Sequence, residues 1–408
     1  MLYREIPKTK DKLSILGFGC MRLPGGQFNP DEKESIRQIR YAIDSGINYL
    51  DTAWTYHGGK SEVIMGKAIK DGYRDKVKIA DKLPHWLCKT REDMDYYLDI
   101  QLERLNEKVI DYYLIHALDG TAWEHLKTLG ITDFMNKAKA NGKIVNIGFS
   151  FHGLRDDFKK IIDDYNWDFC QIQFNILDEH FQAGVEGLDY ALSKNIGVII
   201  MEPLRGGSLA GKLPGEVEKI YKNSETERTN ADWALRWIWN HPGVTTVLSG
   251  MNDVKQIDEN IRIAGTSEVH SMSKDELKTV EKAAETFRSL MKIPCTGCQY
   301  CQPCPKNVNI PSAFAFYNNK YLFKQGTISR GSYLLQLGDI QERKPALASQ
   351  CTECGLCVNH CPQNIDIPSE LKNVKKEFEG KLTTGPIMLL LKTAMSAGRR
   401  RKKSKVQA

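Results

Sequence analysis

Eight of the chain's eleven cysteines fall between residues 295 and 361, in two runs. They read Cys295-Thr-Gly-Cys298-Gln-Tyr-Cys301-Gln-Pro-Cys304-Pro305 and Cys351-Thr-Glu-Cys354-Gly-Leu-Cys357-Val-Asn-His-Cys361-Pro362. So dense a set of thiols folds around disulfides or around metal, and the compartment decides between them. The amino terminus, MLYREIPKTKDK, is charged throughout and lacks the apolar run of a secretory signal, so a cytoplasmic location and metal ligation are expected. The other three cysteines, Cys20, Cys88 and Cys170, lie scattered in the first 290 residues. The cysteines thus divide a 408-residue chain, long enough for two or three domains, into two unlike parts. Domain limits are expected at residues 1–292 and 293–380, followed by a tail at 381–408.

The second run has the C-x₂-C-x₂-C-x₃-C-P spacing and resembles bacterial-type ferredoxins, in which three close thiolates wrap one cubane and the cysteine before proline reaches another. Two runs imply two [4Fe–4S] clusters. By that logic Cys295, Cys298, Cys301 and Cys361 hold one, and Cys351, Cys354, Cys357 and Cys304 hold the other. The first run has x₂ before Cys304, so ligation of one cluster by its own four cysteines stays open. Zinc is the rival metal, since it also takes four thiolates and C-x₂-C pairs, but consecutive x₂ spacings ending in Cys-Pro suit a tetrahedral site poorly. Helical character between the runs, as at Ala313 to Lys324, makes this part a small, mainly helical domain resembling the dicluster domains of multi-subunit reductases.

The first part carries a different signal. With 41% hydrophobic and 26% charged residues the chain has ample side chains for a core, which excludes general disorder. From Leu13 to about Ile263 short apolar runs alternate with amphipathic segments, the pattern of repeated strand and helix units. Strands are expected at Leu13 to Phe18, Ile47 to Leu50, Val77 to Ala80, Ile110 to Ile115, Ile144 to Gly148, Phe169 to Phe174, Gly197 to Ile200 and Val244 to Leu248. Asn29 before Pro30 predicts a helix start with Ile36, Ile39 and Ile43 as its apolar stripe. Thr90 before Asp93 predicts another start, and Ser273-Lys-Asp-Glu276 reads as a capping box. Eight such units fit a (β/α)₈ barrel by number and length, and a doubly wound open sheet gives similar local patterns.

In a barrel, reactive groups project from the carboxyl ends of the strands. Asp51, Lys82 and His116 follow three consecutive apolar runs, and Tyr56 sits five residues beyond Asp51. Singly each has an ordinary explanation: a helix cap, a surface charge, a core histidine, a packed phenol. Together they make a site. The surrounding stretches are Gly46-Ile-Asn-Tyr-Leu-Asp51-Thr-Ala-Trp-Thr-Tyr56, Asp111-Tyr-Tyr-Leu-Ile-His116, Gly148-Phe-Ser150-Phe-His-Gly153, Met201-Glu-Pro-Leu-Arg-Gly-Gly207 and Ala234-Leu-Arg-Trp-Ile-Trp-Asn-His-Pro242. Through them residues 1 to 290 resemble the aldo/keto reductase family. The resemblance implies a TIM barrel, an α/β fold, reducing a small carbonyl with a nicotinamide cofactor, and it places the catalytic tetrad on Asp51, Tyr56, Lys82 and His116. Tyr56 is then the acid that protonates the developing alkoxide. Its phenol, near ~10 when free, is expected to be lowered to roughly 7 by Lys82 in a dry site.

The resemblance also sets Ser150 and Gln171 at the nicotinamide carboxamide, and Ser249, Gly250, Gln256 and Asn260 at the adenosine phosphate. Phe151 stands where many members have Asn, and Met201 where many have a stacked Tyr. No G-x-G-x-x-G follows a strand. Arg205 and Lys255 are the nearby cations for a 2′-phosphate, and NADPH is expected over NADH. Cys88 and Cys170 read as packing residues, whereas Cys20, after the first strand, is a candidate to line the site.

Aldo/keto reductases with this cysteine-rich extension form a subgroup that the chain resembles over nearly its whole length. Nicotinamides move hydride and clusters move single electrons. Either the clusters serve structure or redox control, or a ferredoxin-like or flavoprotein partner feeds electrons through them, with a flavin or a cofactor-free site completing the reduction. A purely electron-transferring, non-enzymatic protein is a third reading. Residues 399–405 account for the whole net charge of +6, so no nucleic-acid face is implied. The tail reads as a solvated end rather than a peripheral membrane contact.

Overall fold

The computed structural model describes residues 1–26, 29–295, 297, 300–338, 344–358, 360–361 and 363–380. The basic tail at 381–408 lies outside them. The chain divides into two compact units, residues 1–213 with 219–282, and residues 214–218 with those from Ala283 on. The division falls inside the helix Lys274–Ser289.

The first unit opens with an antiparallel hairpin of β1 (Tyr3–Glu5) and β2 (Lys12–Ser14). Eight parallel strands follow: β3 (Leu16–Gly19), β4 (Tyr49–Asp51), β5 (Lys78–Leu83), β6 (Ile110–Leu118), β7 (Ile144–Phe151), β8 (Phe169–Gln173), β9 (Gly197–Met201) and β10 (Val244–Ser249). Each pairs with the next, and β10 returns to β3 with Val247 opposite Leu16. That pairing leaves no edge. The open-sheet alternative is therefore excluded, and the fold is a (β/α)₈ barrel.

All eight expected strands are present, with one correction. The run Leu13 to Phe18 is not a single strand, because residues 12–14 pair in the hairpin and only 16–19 join the barrel. The buried Ser14 hydroxyl donates to the Leu16 carbonyl at 2.7 Å, which turns the chain from one pairing to the other. The hairpin closes the amino end of the barrel. Ile6 and Leu13 pack there with Tyr49, Tyr112 and Phe169, whose rings meet edge to face at 5.3 and 5.0 Å. The opposite, carboxyl end is the one left for chemistry.

Helix starts follow local rules with a second correction. The helix Glu32–Asp44 is capped by Asp31, whose side chain accepts from Glu34 N, not by Asn29. The Asn29 backbone is already committed to a tight turn, its N–H and C=O both bonding to Gly26. Arg91–Leu105 starts at Thr90 as expected, with Thr90 and Asp93 forming a capping box, and Ser273 and Glu276 form the expected one of Lys274–Ser289. Helix Ser61–Ala68 lies so close to Arg91–Leu105 that a Cβ at Gly66 would come within 2.3 Å of the Leu105 carbonyl oxygen.

In the second unit the helices Ile310–Leu322, Gly326–Leu337 and Ile367–Phe378 surround a core that includes Phe314, Tyr333, Leu334, Leu371 and Phe378. Two segments start alike. Cys304-Pro-Lys-Asn-Val-Asn309-Ile-Pro-Ser and Cys361-Pro-Gln-Asn-Ile-Asp366-Ile-Pro-Ser each lead into a helix, with Asn309 or Asp366 accepting from the Ser backbone three residues on. No described helix is long and apolar enough to cross a membrane.

Candidate functional site

Asp51 ends β4, while Lys82 and His116 lie within the carboxyl ends of β5 and β6, which run further than the apolar runs alone predict. Lys82 points inward and is fully buried. Its Nζ donates to Asp51 Oδ1 at 2.5 Å and to the Thr52 carbonyl at 2.8 Å, and lies 3.5 Å from the Tyr56 hydroxyl. Burial opposes the lysine charge, but Asp51 and Tyr56 outweigh it and hold the ammonium above its ordinary range. Burial likewise raises the Asp51 carboxyl, against the pull of Lys82. The two form a buried ion pair, and removing either partner strands a buried charge.

Tyr56 sits on a short turn, Tyr56–Gly59, whose next two residues are left-handed, His57 at φ 52° and Gly58 at φ 66°. The buried His57 Nε2 accepts from Leu23 N at 3.1 Å and so fixes the turn. The His116 ring stands edge-on to that of Tyr56, with centroids 6.1 Å apart. It is re-aimed by an irregularity in the β6–β7 register between Ile115 and Leu118, where Ala117 takes φ 51°. The four expected residues therefore converge on the open end of the barrel. The expected acidity of Tyr56 does not follow. Burial pushes its phenol up to about 12, and Lys82 at 3.5 Å only partly offsets this.

The expected cofactor residues are also there. Gln171 donates to Met201 Sδ at 3.4 Å, while its Oε1 is buried with no hydrogen-bond partner. An amide of nicotinamide type fits that orphaned acceptor. Ser150 Oγ accepts from Ala117 N at 2.7 Å. Phe151 alternates to the outer face of β7 and packs on Phe158 at 5.1 Å, so it supplies nothing to the interior. Asn260 donates to Ser249 Oγ at 3.1 Å, and Gln256 Oε1 accepts from Asn252 N, which braces the loop around Gly250. Arg205 is committed to Asp178 at 3.3 Å, with its side chain 9% exposed.

Two residues escaped the sequence reading. Arg22 is exposed and lies along Gly250 and Gly206: a Cβ there would come within 3.1 Å of its Cβ and 2.7 Å of its Nη2, respectively. Trp86 packs its ring 5.3 Å from that of His116. Both follow barrel strands, so the rule that selected Lys82 would have found them. Cys88 and Cys170 are buried packing residues. Cys20 is fully buried too, and burial, then Asp51, pushes its thiol up, which suits an inert side chain.

In the second unit Cys298 lies outside the described residues. Cys295, Cys301, Cys304, Cys351, Cys357 and Cys361 pack against the core, and Cys354 is exposed. The Cys357 thiol is raised by burial and then by its neighbours Cys304, Cys351 and Cys354. Cys304, from the first run, thus stands among the thiols of the second. Among the described residues no three cysteines, histidines or carboxylates converge as a single metal ion would require. Thiols of both runs within electrostatic reach of one another suit a cubane, whose ligands bind separate irons, better than a single ion.

Comparison with known proteins agrees with both units. Residues 15–285 match the model of the aldo/keto reductase family, and residues 294–365 that of the 4Fe–4S dicluster domain. A probable aldo-keto reductase of Glycine max is 27% identical over 287 residues, covering 61% of this chain and 80% of that protein. An aldo-keto reductase of Bacillus subtilis is 27% identical over 319 residues, covering 69% and 93%. Among solved structures, the holo form of an aldo-keto reductase from Bacillus halodurans superposes with a TM-score of 0.60 at 24% identity, covering 70% of this chain and 96% of that one.

Proposed function

The chain belongs to the aldo/keto reductase family and carries a C-terminal 4Fe–4S dicluster domain, and from that premise we propose that it reduces a small aldehyde or ketone at the open end of its barrel. The observation that carries this reading is the convergence of Asp51, Lys82, Tyr56 and His116 there. A reduced nicotinamide, when bound, supplies hydride to the carbonyl carbon. The rest falls to this chain. Tyr56 donates its proton to the carbonyl oxygen as alkoxide charge develops. An alkoxide is far more basic than a phenolate, so a phenol held at about 12 still transfers its proton downhill. Lys82, kept charged by Asp51, stabilises the phenolate left behind. His116 orients the oxygen as charge builds on it, and Trp86 forms an apolar wall beside it.

Gln171 and Ser150 would hold the carboxamide. Arg22 and Lys255 replace Arg205 as the cations for a 2′-phosphate, which supports NADPH over NADH. Two [4Fe–4S] clusters are assigned, cross-ligated by Cys304 and Cys361, in a domain taken as 293–380 after a barrel of 1–292. Bound clusters supply single electrons, for transfer or redox control. A cytoplasmic setting suits eight reduced thiols. A second reading, electrons fed through the clusters by a ferredoxin-like or flavoprotein partner, is favoured by Phe151, whose outward turn leaves the carboxamide site one donor short.

The test is steady-state carbonyl reduction by anaerobically purified protein, with NADPH and with NADH. Tyr56→Phe is expected to lower kcat by about 10²–10⁴-fold while the variant stays folded. Unchanged turnover would sink the assignment. Carbonyl reduction driven by a reduced ferredoxin or flavoprotein without nicotinamide would favour the second reading.

A further inference from the structure

Behind Lys82, between the barrel and its helices, two carboxyl groups are buried together. Asp81 on β5 and Glu62 on helix Ser61–Ala68 both have 0% exposed surface. Asp81 Oδ1 accepts from Lys82 N at 2.8 Å. Its Oδ2 is buried and meets no donor from any other residue. Glu62 is the acid beside it: Gln101 Nε2 spans the two, donating to Glu62 Oε1 at 3.2 Å and to the carbonyl of Lys82, the residue after Asp81, at 3.0 Å, so a proton on Asp81 Oδ2 turns that orphaned acceptor into a donor toward the Glu62 carboxylate. Each Glu62 oxygen already has a donor: Oε2 accepts from Arg104 Nη1 at 2.5 Å, and Oε1 from Gln101 Nε2 at 3.2 Å.

The charges around the pair come from every element packed on it. Arg104 supplies one cation, and its guanidinium carbon lies over the Trp54 ring, 3.8 Å from the centroid. Lys82 turns its ammonium the other way, to Asp51. Tyr113 on β6 is neutral, its phenol pushed well up by burial and by Asp81, and its hydroxyl donates to Gln101 Oε1 at 2.7 Å. Two ionised carboxylates against one cation would leave a bare negative charge in a dry site, which a single proton removes. The network also touches the reacting groups. Gln101 Nε2 donates to the Lys82 carbonyl at 3.0 Å, and a Cβ at Gly59, which ends the Tyr56 turn, would lie 3.3 Å from Arg104 Nη1.

We propose that Asp81 and Glu62 share one proton, with Asp81 the neutral acid, and that the pair holds the Lys82 backbone and the Tyr56 turn in register. They are positioning residues for the reduction proposed above and rest on that reading. The ionised alternative would set a second anion beside the Lys82–Asp51 pair and bind the Tyr56 proton more tightly.

The test uses the full chain prepared anaerobically. The infrared difference spectrum of wild type minus Asp81→Asn at about pH 7 is expected to contain the C=O stretch of one un-ionised carboxyl, and Glu62→Gln to lose the same band. Asparagine still accepts from Lys82 N and donates to Glu62, so Asp81→Asn should keep kcat within about twofold, whereas Asp81→Ala lowers it about tenfold with KM little changed. No such band in wild type, or Asp81→Asn as impaired as Asp81→Ala, would overturn the proposal. If Asp81→Ala does not fold, the band and the asparagine variant decide. Should wild type reduce no carbonyl at all, the proposed function fails while the band still reports the shared proton.

Discussion

The Tyr56 hydroxyl illustrates how competing local effects set one group's chemistry. Sequence reasoning weighed Lys82 alone and expected a phenol near neutrality, but the turn that brings Tyr56 to Lys82 also buries it, and desolvation is the larger effect. The sign for stability follows. The folded phenol holds its proton up to about 12, against 10 for the free group, so above pH 10 the unfolded chain ionises first and the native state loses stability until about pH 12. Tyr56→Phe cannot ionise at that position. Denaturant unfolding at pH 9 and pH 11 should therefore show wild type losing stability relative to Tyr56→Phe between the two, and parallel curves would refute the raised phenol. The four catalytic candidates were legible because the family's motifs surround them. Arg22 and Trp86 were legible by the same strand-end rule, but the Asp81–Glu62 pair was not, because its role depends on which strand faces which helix, and residue type alone does not encode that.

Among the elements, the eight barrel strands could be read from apolar runs, since a strand covered on both faces needs continuous hydrophobic residues. The hairpin β1–β2 could not. Its strands are three residues each, and its pairing depends on a switch at Ser14 that no periodicity reports. Yet it supplies the barrel floor, where Leu13 and Ile6 are fully buried against Tyr49, Tyr112 and Phe169. Leu13→Ala should cost about 2–5 kcal/mol, the range for emptying a packed leucine site. Equilibrium unfolding would check this, and a loss below about 1 kcal/mol would mean that the hairpin is only a loosely attached cover. In the second unit the cysteine spacing suggested cross-ligation by Cys304 and left ligation by its own run open. The matched helix starts after Cys304 and Cys361 were equally visible in the sequence and carry the same message of two related halves.

At the scale of the whole molecule, the division between units changes the reading of charge. The sequence put the +6 in the tail, and the remainder looked neutral. Divided at Ala283, however, acids lead by five in residues 1–282, and Lys and Arg lead by eleven from Ala283 on, six of them in the tail at 399–405 and five before it. The barrel is acidic and the cluster-bearing part is basic, with the exposed Cys354 and Leu356 at its second run. A one-electron carrier that docks there should itself be acidic, since opposite charge raises encounter rates and is screened by salt. Stopped-flow reduction of the clusters by an acidic ferredoxin should therefore slow on the order of tenfold between about 0.02 and about 0.3 M ionic strength. Reduction by an uncharged small reductant should change little over the same range. Equal salt dependence for the two reductants would mean that the excess of positive charge after Ala283 does not guide electron entry, and the clusters would then be assigned to redox control of the barrel rather than to exchange with an acidic protein.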